Sequence, residues 1–466
     1  MDEGRALTAG EVEQSLRSTQ RESVAWAIMA GLTDSFMTPY ALALGASPFQ
    51  AGLLSSFRNF IVSVTQLKTA DALRWFRSRK RMVLWTAGLQ ALLWIPLAVS
   101  GPVFGGVAVP VLIVLYTLGT TSAAFGGPAW GSLVSEYLSP EQRGRFFGHR
   151  SRTIGGWTTV SGLVAGGVLQ AYSQRPLAGF GLLCAAAALA RAASCYWLGH
   201  MKEGPWHEPT EAKFSFAEFL KQAPTSNFAQ FTLCMTLLSF GANIAAPYFA
   251  VYLLRELGYG YFVYTVVVLG GAGMAFLTST RWGRTADVHG NWIVLKWTTL
   301  GASVLPILWP LSPHPLWLFT TNLLAGLLWG GANLSMVNFV YDVATPAKRA
   351  RCLAYFNVMN GCGVSLGALA GGWLLVWFGE RSFLILFCCS AAVRLIASLA
   401  FRWTVREVRA VKQAGLRELA SDLFGGRHRA GAAEAEKAVR YPSAQTIAER
   451  ASHVHSSSAF DNFEVD

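Results

Sequence analysis

The chain writes one long stretch twice, and nothing else in it narrows the possible folds as far. SEYLSPEQRGRFFGHRSRTIGGWTTVSGLVAGG, from Ser135, returns as YDVATPAKRARCLAYFNVMNGCGVSLGALAGG, from Tyr341. A constant step of 206 carries Glu136 to Asp342, Pro140 to Pro346, Arg143 to Arg349, Arg145 to Arg351, Gly155 to Gly361 and Gly166 to Gly372. In each copy an apolar run ends at an acid, a Pro-containing turn carries arginines, and a Gly-rich apolar run follows. A repeat of this length means that two halves of the chain share one plan.

Both halves are built for lipid. Of 466 residues, 53% are hydrophobic and 14% charged, which lies outside the usual soluble composition. Runs long enough to cross a hydrocarbon layer of about 30 Å fall near 24–44, 50–69, 82–100, 107–134, 150–172 and 176–199. A second six fall near 227–254, 260–280, 292–311, 315–342, 350–377 and 381–404. The expectation is an all-α polytopic membrane protein of 12 transmembrane helices, arranged as two pseudo-symmetric six-helix bundles, 24–199 and 227–404. A cytoplasmic segment 1–23 precedes them, a linker 200–226 joins them, and a tail 405–466 follows. Phe214, Phe216 and Phe219 predict a short interfacial helix in the linker. The tail, ending SSSAFDNFEVD, reads as partly disordered.

The charge of +12 could suggest nucleic acid, but the tail balances nine Lys/Arg against nine Asp/Glu. The excess therefore lies among the apolar runs, where basic loops facing a cytoplasm explain it better. Counted over alternate loops, seventeen Lys/Arg stand on one side and three on the other, which predicts both termini in the cytoplasm of a cell membrane. The first 23 residues hold five acids and no apolar core, so the first span is expected to act as the insertion signal. Seven cysteines without metal-type spacing read as reduced packing residues. No nucleotide-binding loop, metal cluster or nucleophile constellation is apparent, so neither an ATP-driven pump nor an enzyme is supported and no cofactor is expected.

Several polar residues fall at mid-membrane depth. Asp34 lies about ten residues into the first span, about 15 Å deep. An ionised acid there costs at least about 2.5 to 3.5 kcal/mol, so it must face water, find a cation or hold a proton. Arg58, near mid-depth in the second span, is its candidate partner; a purely structural ion pair is the alternative. Asn243 precedes Pro247-Tyr248 much as Asp34 precedes Pro39-Tyr40. In span ten Asn322, Gly326, Trp329 and Asn333 recur at steps of four, three and four, which puts them on one helical face. That face either lines a polar cavity or packs through asparagine hydrogen bonds. Arg191 and Arg394, in the last span of each half, are expected to snorkel to the interface. Gly363, Gly367 and Gly371, and Gly162 with Gly166, are spaced for close helix contact.

Two loops then bring a family into view. After the second span comes QLKTADALRWFRSRKR, and after the eighth GRTADVHGN. With six plus six spans around them, the chain resembles the major facilitator superfamily, whose signature is Gly, three residues, Asp, a basic residue, then Gly. The second loop keeps Gly283, Asp287 and Gly290 with Arg284 alongside; the first keeps Asp71 and a basic cluster but has Leu67 in place of the leading glycine. The resemblance covers residues 24–404. It implies secondary active transport of a small solute by alternating access. The depth of Asp34 adds the expectation of a proton as coupling ion through it. The loop residues themselves suggest a latch in which Asp71 and Asp287 cap helices while arginines, among them Arg143 and Arg349, meet Glu136 and Asp342. The expected partners are the solute, the proton and the bilayer, with no nucleic acid and a monomeric chain. A non-transporting sensor or assembly protein on the same fold is the alternative.

Overall fold

The computed structural model describes residues 7–66, 68–138, 140–204, 226–344, 349–378, 382–408, 415, 418 and 419. Among these every regular element is helical. The first half holds α1 (Ala9–Thr33), α2 (Met37–Ala43), α3 (Pro48–Gln66), α4 (Thr69–Phe76), α5 (Arg79–Ala98), α6 (Ser100–Phe104), α7 (Ala108–Glu136), α8 (Pro140–Ala171) and α9 (Pro176–Gly199). The second holds α10 (Asn227–Ala245), α11 (Tyr261–His289), α12 (Asn291–Leu308), α13 (Pro315–Val343), α14 (Arg349–Trp377) and α15 (Ser382–Thr404). The expected interfacial helix of the linker lies outside the described residues, as does nearly all of the tail.

Nine helices among the described residues are long and apolar enough to cross a membrane; α1, α3 and α8 are not among them. Those three carry Glu22, Arg58 and Arg150, while their repeat counterparts α10, α11 and α14 all qualify. Helix α1 begins at Ala9, well ahead of the run expected from residue 24. A capping box starts it, Thr8 N donating to Glu11 Oε2 at 2.9 Å and Glu11 N to Thr8 Oγ1 at 3.3 Å, which satisfies two otherwise orphaned donors. Its first turns bury Ser15, Ser18, Thr19, Glu22 and Ser23. Thr19 donates back to the Ser15 carbonyl at 2.8 Å and Ser23 to that of Thr19 at 2.7 Å, so hydroxyls fill a buried face that a search for apolar runs passes over.

The first span is broken at mid-depth for a covalent reason. Pro39 has no N–H, so the Ser35 carbonyl four residues earlier loses its helical donor; α1 stops at Thr33 and α2 resumes at Met37. The second half repeats the break, α10 stopping at Ala245 ahead of Pro247.

Packing obeys the repeat. Helix α1 lies on α8 and α9, as α10 lies on α14 and α15; α5 lies on α7 and α9, as α12 lies on α13 and α15. The two largest contacts between halves, α3 on α14 and α8 on α11, exchange with each other under the same operation. Glycines permit the closest approaches. A Cβ on Gly326 would stand 2.0 Å from the Gly271 carbonyl oxygen, and Cβ atoms on Gly363, Gly367 and Gly371 would stand 2.4, 2.2 and 2.1 Å from carbonyl oxygens of α10. These are backbone contacts of the small-residue kind. Large side chains such as Trp85, Leu189 and Leu277, each over 70% exposed, project outward as expected for faces that meet lipid.

Among the described residues the halves share a core at one end only. Away from the termini a single core unites Phe36, Tyr40 and Phe180 of the first half with Tyr252, Tyr264 and Phe387 of the second. Hydrogen bonds cross there as well: Tyr264 to the Ser35 carbonyl at 2.6 Å, Arg255 to the Leu42 carbonyl at 2.9 Å, and Phe262 N to Gln170 at 3.3 Å. At the terminal end each half has its own core, one around Met82, Leu133 and Leu198 and one around Phe231, Phe339 and Phe401.

Arg191 and Arg394 do not snorkel. Both are buried, 5% and 3% exposed. Arg191 faces Glu22 at 4.0 Å and donates to Ser194 at 2.8 Å. Arg394 donates to the Ala302 and Ala242 carbonyls, each at 3.1 Å. Partners inside the bundle removed the reason to reach for the interface.

Candidate functional site: a cavity between the halves

A cavity of about 410 Å³ lies against the united end, walled by the break after α1 and by α2 on one side and, on the other, by Ala246 to Ala250 beyond α10, by α11 and α13, and by Trp309. Asp34, Ser35 and Thr38 come from the first half, and Pro247, Tyr264, Asn322, Gly326 and Trp329 from the second. The break in α1 is what delivers Asp34. It is the C-cap of α1, its N–H bonded to the Ala30 carbonyl at 2.8 Å; its side chain is exposed, and what it is exposed to is this cavity. A carboxylate at a helix C-terminus opposes the helix dipole, so local structure does not favour its charge.

Arg58 lies close enough for its charge to act on Asp34, and Tyr116 feels both. Its guanidinium is engaged elsewhere, donating to Tyr116 Oη at 3.3 Å and to Asn59 Oδ1 at 3.4 Å. Among the described residues no ion pair within 4.0 Å joins it to Asp34. The structural pair weighed from the sequence is therefore absent in this conformation.

The amides divide. Asn322 lines the cavity yet donates to the Val267 carbonyl at 2.6 Å and that of Val268 at 3.3 Å, so the same side chain ties α13 to α11. Asn243 donates to Ser239 of its own helix at 2.9 Å and is not in the cavity wall. Asn333 is exposed beyond it. Gly326 and Trp329 lie on the wall with Asn322; the same face has left the cavity by Asn333.

The expected latch residues are arranged differently from the expectation. Gly290 supplies a turn of φ 88° and ψ 156°, open only to glycine, but Asp287 and Arg284 are exposed. Among the described residues only Leu334 lies within reach of an added Cβ on Gly283. Asp71 pairs with Lys68 in its own turn at 3.3 Å, both exposed. Glu136 is held by Arg79, at 2.5 Å. The side chains of Arg143 and Arg349 lie outside the described residues. Asp342 accepts from Asn291 at 2.7 Å.

Sequence reasoning missed two acids that complete these ties. Glu203 accepts from Arg79 N at 2.7 Å, Arg79 Nε at 3.1 Å and Ser78 Oγ at 2.6 Å; Glu407 accepts from Trp292 N at 2.9 Å. Each thus caps the first turn of α5 or α12 from beyond the end of α9 or α15. The signal was present: Lys202-Glu203 recurs as Arg406-Glu407. Glu22, placed outside the membrane by its sequence position, also proved buried, between Arg150 at 3.7 Å and Arg191 at 4.0 Å. Among the described residues no three His, Cys, Asp or Glu side chains gather to hold a metal.

The profile of the Major Facilitator Superfamily matches residues 24–332 and 231–446. The chain belongs to that superfamily. Membership makes it a multi-pass membrane transporter. The fold is shared with a D-xylose-proton symporter, at TM-score 0.67 and 12% identity over 86% of this chain and 99% of that one. It is shared with the nucleoside transporter NupG, at 0.63 and 14% over 83% and 98%. A bacterial homologue of the iron transporter ferroportin in an inward-facing state matches at 0.65 and 16% over 86% and 100%. In sequence, the puromycin resistance protein of Streptomyces alboniger is 28% identical over 190 residues. That match spans 39% of this chain and 35% of the relative's length.

Proposed function

We propose that this superfamily member moves a small solute through the membrane by alternating access, and that Asp34 carries a coupling proton. The observation that carries the reading is an acid at a helix break, exposed to a cavity between two halves that share a core at one end and keep separate cores at the other. With the termini in the cytoplasm, as the charge of the loops indicates, the separate end is cytoplasmic and this conformation is open inward. Rocking the halves about the cavity would close that end and open the other.

The driving force is sufficient. One charge moved through 100 mV provides about 2.3 kcal/mol, and one pH unit about 1.4 kcal/mol, each enough for at least tenfold accumulation. To use it, a carrier needs a group whose hold on a proton changes with conformation. Asp34 qualifies because it sees the cavity here, and because Arg58 is near but bonded elsewhere, so a shift of α1 against α3 would alter the charge it meets.

The test uses vesicles containing the full chain and a pH-sensitive dye inside, with puromycin, nucleosides and D-xylose, compounds named for the matched proteins, heading a panel of small solutes. An imposed pH gradient should drive accumulation of at least one. Asp34→Asn should keep solute-for-solute exchange and lose the gradient-driven part. Accumulation by Asp34→Asn at the level of the wild type would place the proton elsewhere.

A further inference from the structure

A second cavity, of about 470 Å³, opens in the first half alone, two to three helical turns along α1 from Asp34 toward the terminal end. Glu22, Trp26, Thr86, Trp130, Arg150 and Arg191 are its functional walls, and small residues such as Ala123 and Gly127 leave the space. Its charges do not balance. One carboxylate faces two guanidiniums: Glu22 Oε2 is 3.7 Å from Arg150 Nη2, and Oε1 is 4.0 Å from Arg191 Nη1. Among the described residues Glu22 is the one carboxylate within 4.0 Å of either arginine.

The remaining polar atoms are nearly used up. Ser194 accepts from Arg191 at 2.8 Å and donates to Glu22 at 3.3 Å; Ser23 accepts from Arg150 Nε at 2.7 Å. Arg191 Nε, on a side chain 6% exposed, has no partner among the described residues. A buried charge in surplus and a buried donor without an acceptor are each unfavourable until an anion compensates them. The rest of the lining is flat and apolar. Trp26 and Trp130 both line it, and Arg150 stacks over Trp130 at 4.0 Å.

We infer that this cavity binds an organic monoanion, its acidic group against Arg191 and Arg150 and a flat apolar body against Trp26 and Trp130. The size suits a small organic ligand, for which cavities of about 300 to 1,000 Å³ are usual. Selectivity follows from the arithmetic of charge: two arginines less one glutamate leave room for a single negative charge. The inference does not use Asp34, so either reading can fail without the other.

The test is calorimetric titration of the purified full chain with 2-naphthoate, 2-naphthamide and 2,6-naphthalenedicarboxylate, at one fixed chloride concentration. Naphthoate should bind at least about tenfold more tightly than the amide, a gap of about 1.4 kcal/mol. Arg191→Gln and Arg150→Gln each cancel the surplus and should weaken naphthoate by about tenfold or more, whereas Arg150→Lys should retain most of the binding. Glu22→Gln raises the surplus to two and should turn the preference toward the dicarboxylate. Because that variant adds affinity, it decides the matter even where an arginine variant fails to fold. Equal binding of amide and carboxylate, no binding of naphthoate up to about 10 mM, or a Glu22→Gln protein without gain for the dicarboxylate would overturn the inference.

Discussion

The Tyr264 hydroxyl donates at 2.6 Å to the Ser35 carbonyl, the very carbonyl that Pro39 leaves without a helical donor. The residue that breaks α1 thus creates an acceptor, and a side chain of the other half fills it. Both partners line the central cavity, so the break that exposes Asp34 also helps to fasten the united end. In the proposed cycle this bond must open for the outer end to part.

Tyr264→Phe removes that hydrogen bond and keeps the ring, which packs edge-on against Phe36 at 6.3 Å. A net hydrogen bond is worth about 0.5 to 1.5 kcal/mol, so the balance should move two- to tenfold toward states parted at this end. Spin labels at exposed Ser47 and Glu256 would report it as a larger share of long distances. An unchanged distribution would show that the bond does not hold the end closed.

Arg394 meets the same logic in the second half. Its Nη1 donates to the Ala302 carbonyl at 3.1 Å, which Pro306 deprives of a donor four residues on. Arg394→Met should cost about 1 to 3 kcal/mol by leaving buried acceptors unmet. Pro306→Ala restores an N–H for Ala302, so in the double variant the loss should fall short of additivity by about 0.5 to 1.5 kcal/mol. Unfolding of the four proteins in detergent measures this; strict additivity would mean that the two residues act independently.

Glu203 and Glu407 cap the first turns of α5 and α12. Glu203 accepts from two backbone N–H groups, a serine and Arg79; Glu407 accepts from Trp292 N and Val408 N. Charge-assisted caps typically contribute about 0.5 to 2 kcal/mol. Glu203→Gln and Glu407→Gln should therefore each lower the melting temperature, and Glu203→Ala should lower it more than Glu203→Gln. An unchanged melting temperature in a thermal unfolding series would contradict this assignment.

The repeat made the architecture legible, because a step of 206 in sequence becomes an exchange of equivalent helix contacts in space. Asp34 was legible because an acid inside an apolar run is costly and therefore conspicuous. Glu22 was not, since the hydroxyls around it mimic a solvated segment although Thr19 and Ser23 bond back to their own helix. Arg191 and Arg394 were seen, but their direction depends on partners contributed by other helices, which a helical period cannot supply. Asn322 and Asn333 share a period yet meet different surroundings, because the cavity is shorter than the helix that lines it. The pairing of Arg79 with Glu136 and Glu203 was hidden by distance along the chain, while the loop arginines nearby offered an equally good match of charge.

The signature loops yield the last prediction. Asp71 pairs with Lys68 at 3.3 Å, the side chains 61% and 77% exposed, and such pairs contribute about 0 to 1 kcal/mol. Asp287 is exposed as well. Among the described residues neither acid bridges the halves in this conformation, so Asp71→Asn and Asp287→Asn should leave unfolding stability within about 0.5 kcal/mol of the wild type. Their contribution would come when the terminal ends close. Helix α3 runs against α14, and α11 against α8, so closure would carry the loops after α3 and α11 toward the basic starts of α14 and α8. An acid arriving there would meet the arginines that the sequence places at those starts. The expected result is slower transport at unchanged solute affinity in each single variant, and a larger slowing in the double variant. Wild-type rates in the double variant would remove the latch; a loss of stability in the singles would instead show that these acids already hold the conformation described here.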